Sequence, residues 1–131
     1  MFMSKQVEED AVREVIKRYI SGTFRADISM LKGVFHEKAV MNGFLGDMLI
    51  LADPTPFLDD MASAPSMESN NDPFRAEITS LSIEGNVAAV TLSETGFRGS
   101  ANLVNYFHLI KTDGKWEIIS KLFTTLGVAE Q

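Results

Sequence analysis

From Phe74 onward the sequence alternates apolar and polar residues in four segments: FRAEITSLSI, NVAAVTLSETGF, ANLVNYFHLI and KWEIISKLFTTL. A period of two marks β-strands, because successive side chains point to opposite faces of a sheet. The connections are Glu84-Gly85-Asn86, Arg98-Gly99-Ser100 and Thr112-Asp113-Gly114. Turns this short leave no room for crossovers, so the four strands form an antiparallel meander. In ANLVNYFHLI both alternation sets carry hydrophobics: Val104, Tyr106 and Ile110 against Leu103, Phe107 and Leu109. A sheet with one wet face does not need that. A second covered face is expected, as in a homodimer packed sheet to sheet.

The first half reads differently. Ser4 can cap a helix whose first turns carry Glu8, Glu9 and Asp10, where the helix dipole favours negative charge. Val12, Val15, Ile16, Tyr19 and Ile20 form its apolar stripe, and Gly22 is a natural stop. Asp27 can cap a short second helix with Ile28, Leu31, Val34 and Phe35 inward, ended by His36 and Glu37. AVMNGFL and MLILA read as strands around a Gly46-Asp47 turn, with Asn42-Gly43 either a bulge or a competing turn. Asp53-Pro54 and Thr55-Pro56 offer two starts for a third helix bearing Phe57, Leu58 and Met61. Residues 62–73, ASAPSMESNNDP, read as a mobile loop, long enough for a lid or a disordered connection. Helices followed by a long meander give an α+β domain, expected as one unit over residues 1–131.

Composition narrows the function classes. A net charge of −6 with no basic run excludes nucleic acid and anionic membrane surfaces as expected partners. No window approaches the roughly 20 apolar residues of a membrane span. The start MFMSKQVEED turns acidic within ten residues without an apolar segment, so no signal peptide is expected and a cytoplasmic protein is. There is no cysteine and only two histidines, His36 and His108, so neither a disulfide nor a metal site is expected. No phosphate loop, dinucleotide fingerprint or G-x-S-x-G elbow is present, and no cofactor is expected.

The order helix, short helix ending in FHEKAV, hairpin, helix and meander ending in DGKWEI resembles the NTF2-like (SnoaL-like) superfamily. Within it, YISGTFRADISMLKGVFHEKAVMNGFLGD, PTPFLDDM and NYFHLIKTDGKWEIISKLF resemble the family labelled "putative lumazine-binding". The resemblance covers nearly the whole chain. It implies an NTF2-like, cystatin-like cone: three N-terminal helices packed on a curved, mostly antiparallel sheet around an apolar pocket, usually as a homodimer. It implies no particular reaction, since the superfamily contains isomerases, dehydratases, cyclases and transport adaptors. The family commonly carries an acidic residue just before YF, where this chain has Asn105. That departure puts any role needing a carboxylate there in doubt.

The candidate site residues follow. His36 is either a general base in a pocket or a cap on a helix C-terminus. Tyr106 and His108 share a strand face, roughly 7 Å apart; if that face points into the cone, the pair can polarise a carbonyl. Tyr19, Phe35, Phe44, Phe57 and Trp116 are pocket-lining candidates that serve equally as core. Among strand acids, Glu77, Glu94 and Glu117 can each sit at solvent. Lys121 lies opposite Asn105 or Tyr106, depending on the turn length, and reads as a sheet-face or interface lysine. Two functions remain. One is a binder of a small molecule through His36, Tyr106 and His108 in an apolar pocket. The other is a cofactor-free isomerase or dehydratase, with His108 or His36 as base and Tyr106 as donor.

Overall fold

A computed structural model of the protein describes residues 4–128. Helix α1 (Lys5–Arg25) is capped by Ser4, whose hydroxyl accepts from the Val7 amide at 3.1 Å. Its stripe Val12, Val15, Ile16 and Tyr19 is buried. The helix runs a turn past Gly22, to a left-handed cap at Ala26. Gly22 serves a crossing instead of a stop: a Cβ there would lie 2.9 Å from Leu31 Cγ. Helix α2 (Ile28–Val34) is capped by Asp27, which accepts from the Met30 amide.

Strand β1 (Phe35–Leu45) starts directly after α2, with Phe35 as the helix C-cap, so His36 and Glu37 belong to the strand and do not end the helix. It turns through Gly46-Asp47 into β2 (Met48–Ala52). Their register is unbroken across Asn42-Gly43, so there is no bulge against β2 at that point. Gly43 instead permits close approach to β6: a Cβ there would stand 2.0 Å from the Phe123 carbonyl oxygen. Helix α3 (Thr55–Ser63) has Pro54 at its N-cap and Pro56 in its first turn, and Asp53 accepts from the Thr55 amide at 2.8 Å.

The meander is β3 (Arg75–Glu84), β4 (Val87–Phe97), β5 (Ala101–Thr112) and β6 (Lys115–Val128). The six strands form one curved sheet of order β2-β1-β6-β5-β4-β3. Every pairing is antiparallel except β1 with β6. The helices cover the concave face, where Tyr19, Phe35, Phe57 and Phe107 pack as a cluster, with Phe107 edge-on to Tyr19 at 4.8 Å. Glu8 fastens the first turn of α1 to the β5–β6 hairpin. It accepts from Trp116 Nε1 and Lys111 Nζ, each at 2.7 Å, and these bonds hold its carboxyl below the usual range.

Of the loop expected over residues 62–73, Ala62 and Ser63 still belong to α3, and residues 64–74 make the connection to β3. They fold into hydrogen-bonded turns, with the Glu68 amide donating to Phe24 O and Met67 buried beneath the Arg98 amide. The physical reason is the burial of one apolar side chain in a polar stretch, which anchors the backbone around it.

Candidate functional site: buried Glu94 and Lys121 in an aromatic cavity

At one end of the concave face lies a cavity of about 470 Å³. Tyr19 of α1 and Phe57 of α3 form one wall. Met41, Leu45, Met48 and Ile50 of the β1–β2 hairpin form a second. Phe97, Ala101, Leu103 and Phe123 line the side of the meander. At the rim, Arg98 Nη2 pairs with Asp60, 3.3 Å from its carboxylate and 3.1 Å from its carbonyl.

Two charged side chains reach into this apolar space, Glu94 and Lys121. Glu94 is 2% exposed and Lys121 5%. Burial raises the Glu94 pKa, while Lys121 and an Asn105 hydrogen bond oppose that shift. Asn105 Nδ2 donates to Glu94 Oε1. The second carboxyl oxygen of Glu94, Oε2, and Asn105 Oδ1 are buried without a hydrogen-bond partner. Burial also lowers Lys121, to about 8, with the Glu94 charge acting in the opposite direction. Among the described residues no carboxylate comes within ion-pair distance of Lys121. Its ammonium instead faces three rings: Phe57 at 3.9 Å, Phe123 at 5.1 Å and Tyr19 at 5.2 Å. The Tyr19 hydroxyl is held well above its ordinary pKa by burial and by the charge of Glu94.

The strands explain this arrangement. In β4 the inward set is Ala88, Val90, Leu92 and Glu94. In β5 it is Leu103, Asn105, Phe107 and Leu109. In β6 the inward set changes parity, from Trp116 and Ile118 to Lys121 and Phe123. A bulge does this: Leu109 pairs with Ile118 but His108 pairs with Ser120, which leaves Ile119 as the extra residue. The turn is the two-residue Asp113-Gly114 form, since Thr112 pairs with Lys115. Alone it would set Lys121 opposite Tyr106. The bulge sets it opposite Phe107, facing inward, which corrects both registers drawn from the sequence.

Of the aromatic and histidine candidates, Tyr19 and Phe57 line the cavity, and so do Glu94, read from the sequence as an acid that can sit at solvent, and Lys121, read as a sheet-face or interface lysine. Phe35 is buried behind them, edge-on to both rings. Tyr106 and His108 lie on the opposite, convex face, and Tyr106 is 50% exposed. The condition that would have made them a pocket pair is therefore not met: the other alternation set of β5, with Leu103, Phe107 and Leu109, takes the inside. Phe44 is on that same outer face, beside Leu49. His36 is half-buried at the start of β1, its Nδ1 accepting from the Lys38 amide at 3.0 Å. Trp116 is buried at the far end of the molecule, on Glu8. Among the described residues no three His, Asp or Glu side chains gather as metal ligands would.

The chain is similar to known proteins in the following respects. The family model described as "Putative lumazine-binding" matches residues 7–124. No curated protein matches it. An NTF2-like protein of unknown function from Shewanella baltica OS155 is 24% identical, with 95% of this chain and 98% of that one covered and a TM-score of 0.83. A similar protein of unknown function from Silicibacter pomeroyi DSS-3 is 20% identical over 94% and 99%, also at 0.83. A ketosteroid isomerase-like protein from Erwinia carotovora atroseptica SCRI1043 is 17% identical over 92% and 97%, at 0.66. At these identities the likeness shows the fold. The family match spans nearly all of the chain, and the protein, which has the fold of the NTF2-like structures above, belongs to the family described as "Putative lumazine-binding".

Proposed function

We propose that the domain binds a small, partly planar organic molecule in the cavity of the concave face. One observation carries this: a preformed space of about 470 Å³ with aromatic and aliphatic walls and two buried charged groups. That is the usual build of a small-molecule site, in which apolar walls supply affinity and a few polar groups fix orientation. The flat body of the ligand lies against Phe57, Tyr19 and Phe123. A carbonyl or anionic group points to Lys121, which has no carboxylate in contact to compete for it. The family description is in keeping with a flat, carbonyl-bearing heterocycle. Native mass spectrometry of freshly purified protein, followed by calorimetry with lumazine, tests the reading. Binding that is lost in Phe57→Ala and Lys121→Met supports it, and equal affinity in wild type and both variants overturns it.

A second reading, a cofactor-free proton-transfer enzyme, is supported by Glu94 in place of the histidines. A buried carboxylate with a raised pKa and one unpartnered oxygen has the properties of a general base stronger than an exposed carboxylate. Exchange of substrate α-protons for deuterium, abolished by Glu94→Gln, tests it.

We also propose that the convex sheet face pairs two copies. It exposes Val40, Phe44, Leu49, Leu51, Tyr106 and Leu122, an apolar surface larger than scattered residues would give.

A further inference from the structure

We propose that Lys121 is an amine nucleophile, which forms a Schiff base with an aldehyde or ketone held in the cavity, with Glu94 carrying the protons. The inference rests on the ligand-binding reading of this cavity and adds a covalent step to it.

The geometry has four parts. Lys121 projects from a strand, the more rigid kind of support for a reacting group. It lines an open cavity, so a carbonyl carbon can reach its Nζ. Among the described residues no carboxylate stands within ion-pair distance of it, so the neutral amine's lone pair is free to attack, and the three rings around it then stabilise the cationic carbinolamine and iminium. Glu94 borders the same cavity with Oε2 unpartnered, while Asn105 holds the other oxygen. An ordinary surface lysine has none of these features. Desolvation supports the assignment: with its pKa lowered to about 8, about one Lys121 in ten is unprotonated at pH 7. That is roughly 300-fold above a lysine at its ordinary value. A lysine desolvated in an apolar pocket is an established way to activate this nucleophile.

The step balances without a redox partner. The Nζ lone pair attacks the carbonyl carbon, and the C=O π pair moves to oxygen, which takes a proton from the Glu94 carboxyl. The nitrogen returns a proton to Glu94. The carbinolamine hydroxyl then leaves as water with that proton as the C=N bond forms, and the remaining N–H proton of the iminium returns to the Glu94 carboxylate. Amine and carbonyl give imine and one water.

The test uses the full chain, benzaldehyde and sodium cyanoborohydride at pH 7, with peptide mapping by mass spectrometry. The reductant converts any imine to a stable benzylamine. We expect benzylation at Lys121 at least tenfold faster than at exposed Lys5, Lys17, Lys32, Lys38 or Lys115. We also expect slowing in Glu94→Gln, which retains the amine. Benzyl alcohol, which has no carbonyl, is the control for the cavity and is followed through the methyl resonances of Met41 and Met48. Shifts with benzyl alcohol but no preference for Lys121 would overturn the covalent step and leave the binding reading standing. No shifts and no preference would overturn both. Preferential labelling unaffected by Glu94→Gln would remove Glu94 from the step.

Discussion

Lys121 Nζ stands 3.9 Å from the centroid of the Phe57 ring, on the inner side of the sheet. The contact replaces only part of the hydration that the ammonium loses, and its pKa falls from 10.5 to about 8. Between those values the unfolded chain binds more protons at this site than the folded one, so stability rises with pH across the window. The full span corresponds to about 3 kcal/mol, most of it reached by pH 10. Glu94, raised by burial, acts oppositely and at lower pH. Urea titrations at pH 7 and pH 10 should show a gain for the wild type that Lys121→Met lacks. An equal gain in the variant would remove Lys121 as its source.

Asn105 is the only described hydrogen-bond partner of the Glu94 side chain. Asn105→Leu leaves both carboxyl oxygens buried without a donor, at a cost of about 1–3 kcal/mol at neutral pH. Because the Asn105 hydrogen bond lowers the Glu94 pKa, its loss moves that pKa further up. Carboxyl-carbon NMR titration reads the shift. A Glu94 titration that stays in place in the variant would contradict the role given to Asn105.

The convex face carries Tyr106 and Leu122 directly opposite one another on β5 and β6. Leu122→Glu places a charge at the centre of the proposed pairing surface and should give a monomer of 14.5 kDa by sedimentation. Tyr106→Ala and His108→Ala should leave affinity for a cavity ligand within about twofold, because neither residue lines the cavity. A larger loss of affinity would mean that the two faces are coupled.

Gly43 carries the parallel contact between β1 and β6. A Cβ at this position meets the Phe123 carbonyl oxygen at 2.0 Å, against backbone that has no rotamer to change. Gly43→Ala should therefore cost more than about 3 kcal/mol, in the range of severe core substitutions. It should also disturb the cavity, which Phe123 and Met41 help to line. Chemical denaturation measures the first effect, and a variant within about 1 kcal/mol of wild type would refute the contact.

Much of the architecture was readable along the chain. Alternation and short turns announced the meander, caps at Ser4 and Asp27 announced two helices, and Gly46-Asp47 announced the hairpin. The reading of Glu94 as an acid that can sit at solvent passed over one signal: Glu94 follows Ala88, Val90 and Leu92 at a spacing of two, and Asn105 sits between Leu103 and Phe107 in the same way. Each polar residue stands in the more hydrophobic alternation set of its strand, and that set takes the inside.

Local signals determined which segments are helix and which are strand, because capping, periodicity and turn chemistry act over a few residues. The position of Lys121 was settled only by the tertiary structure. A single extra residue at Ile119 inverts the faces of β6, bringing Lys121 inside and putting Leu122 outside. Nothing in IISKLF marks that residue, since both alternation sets contain hydrophobics. The bulge is fixed by packing Trp116 and Ile118 at one end of the strand and Phe123 at the other against the same concave core.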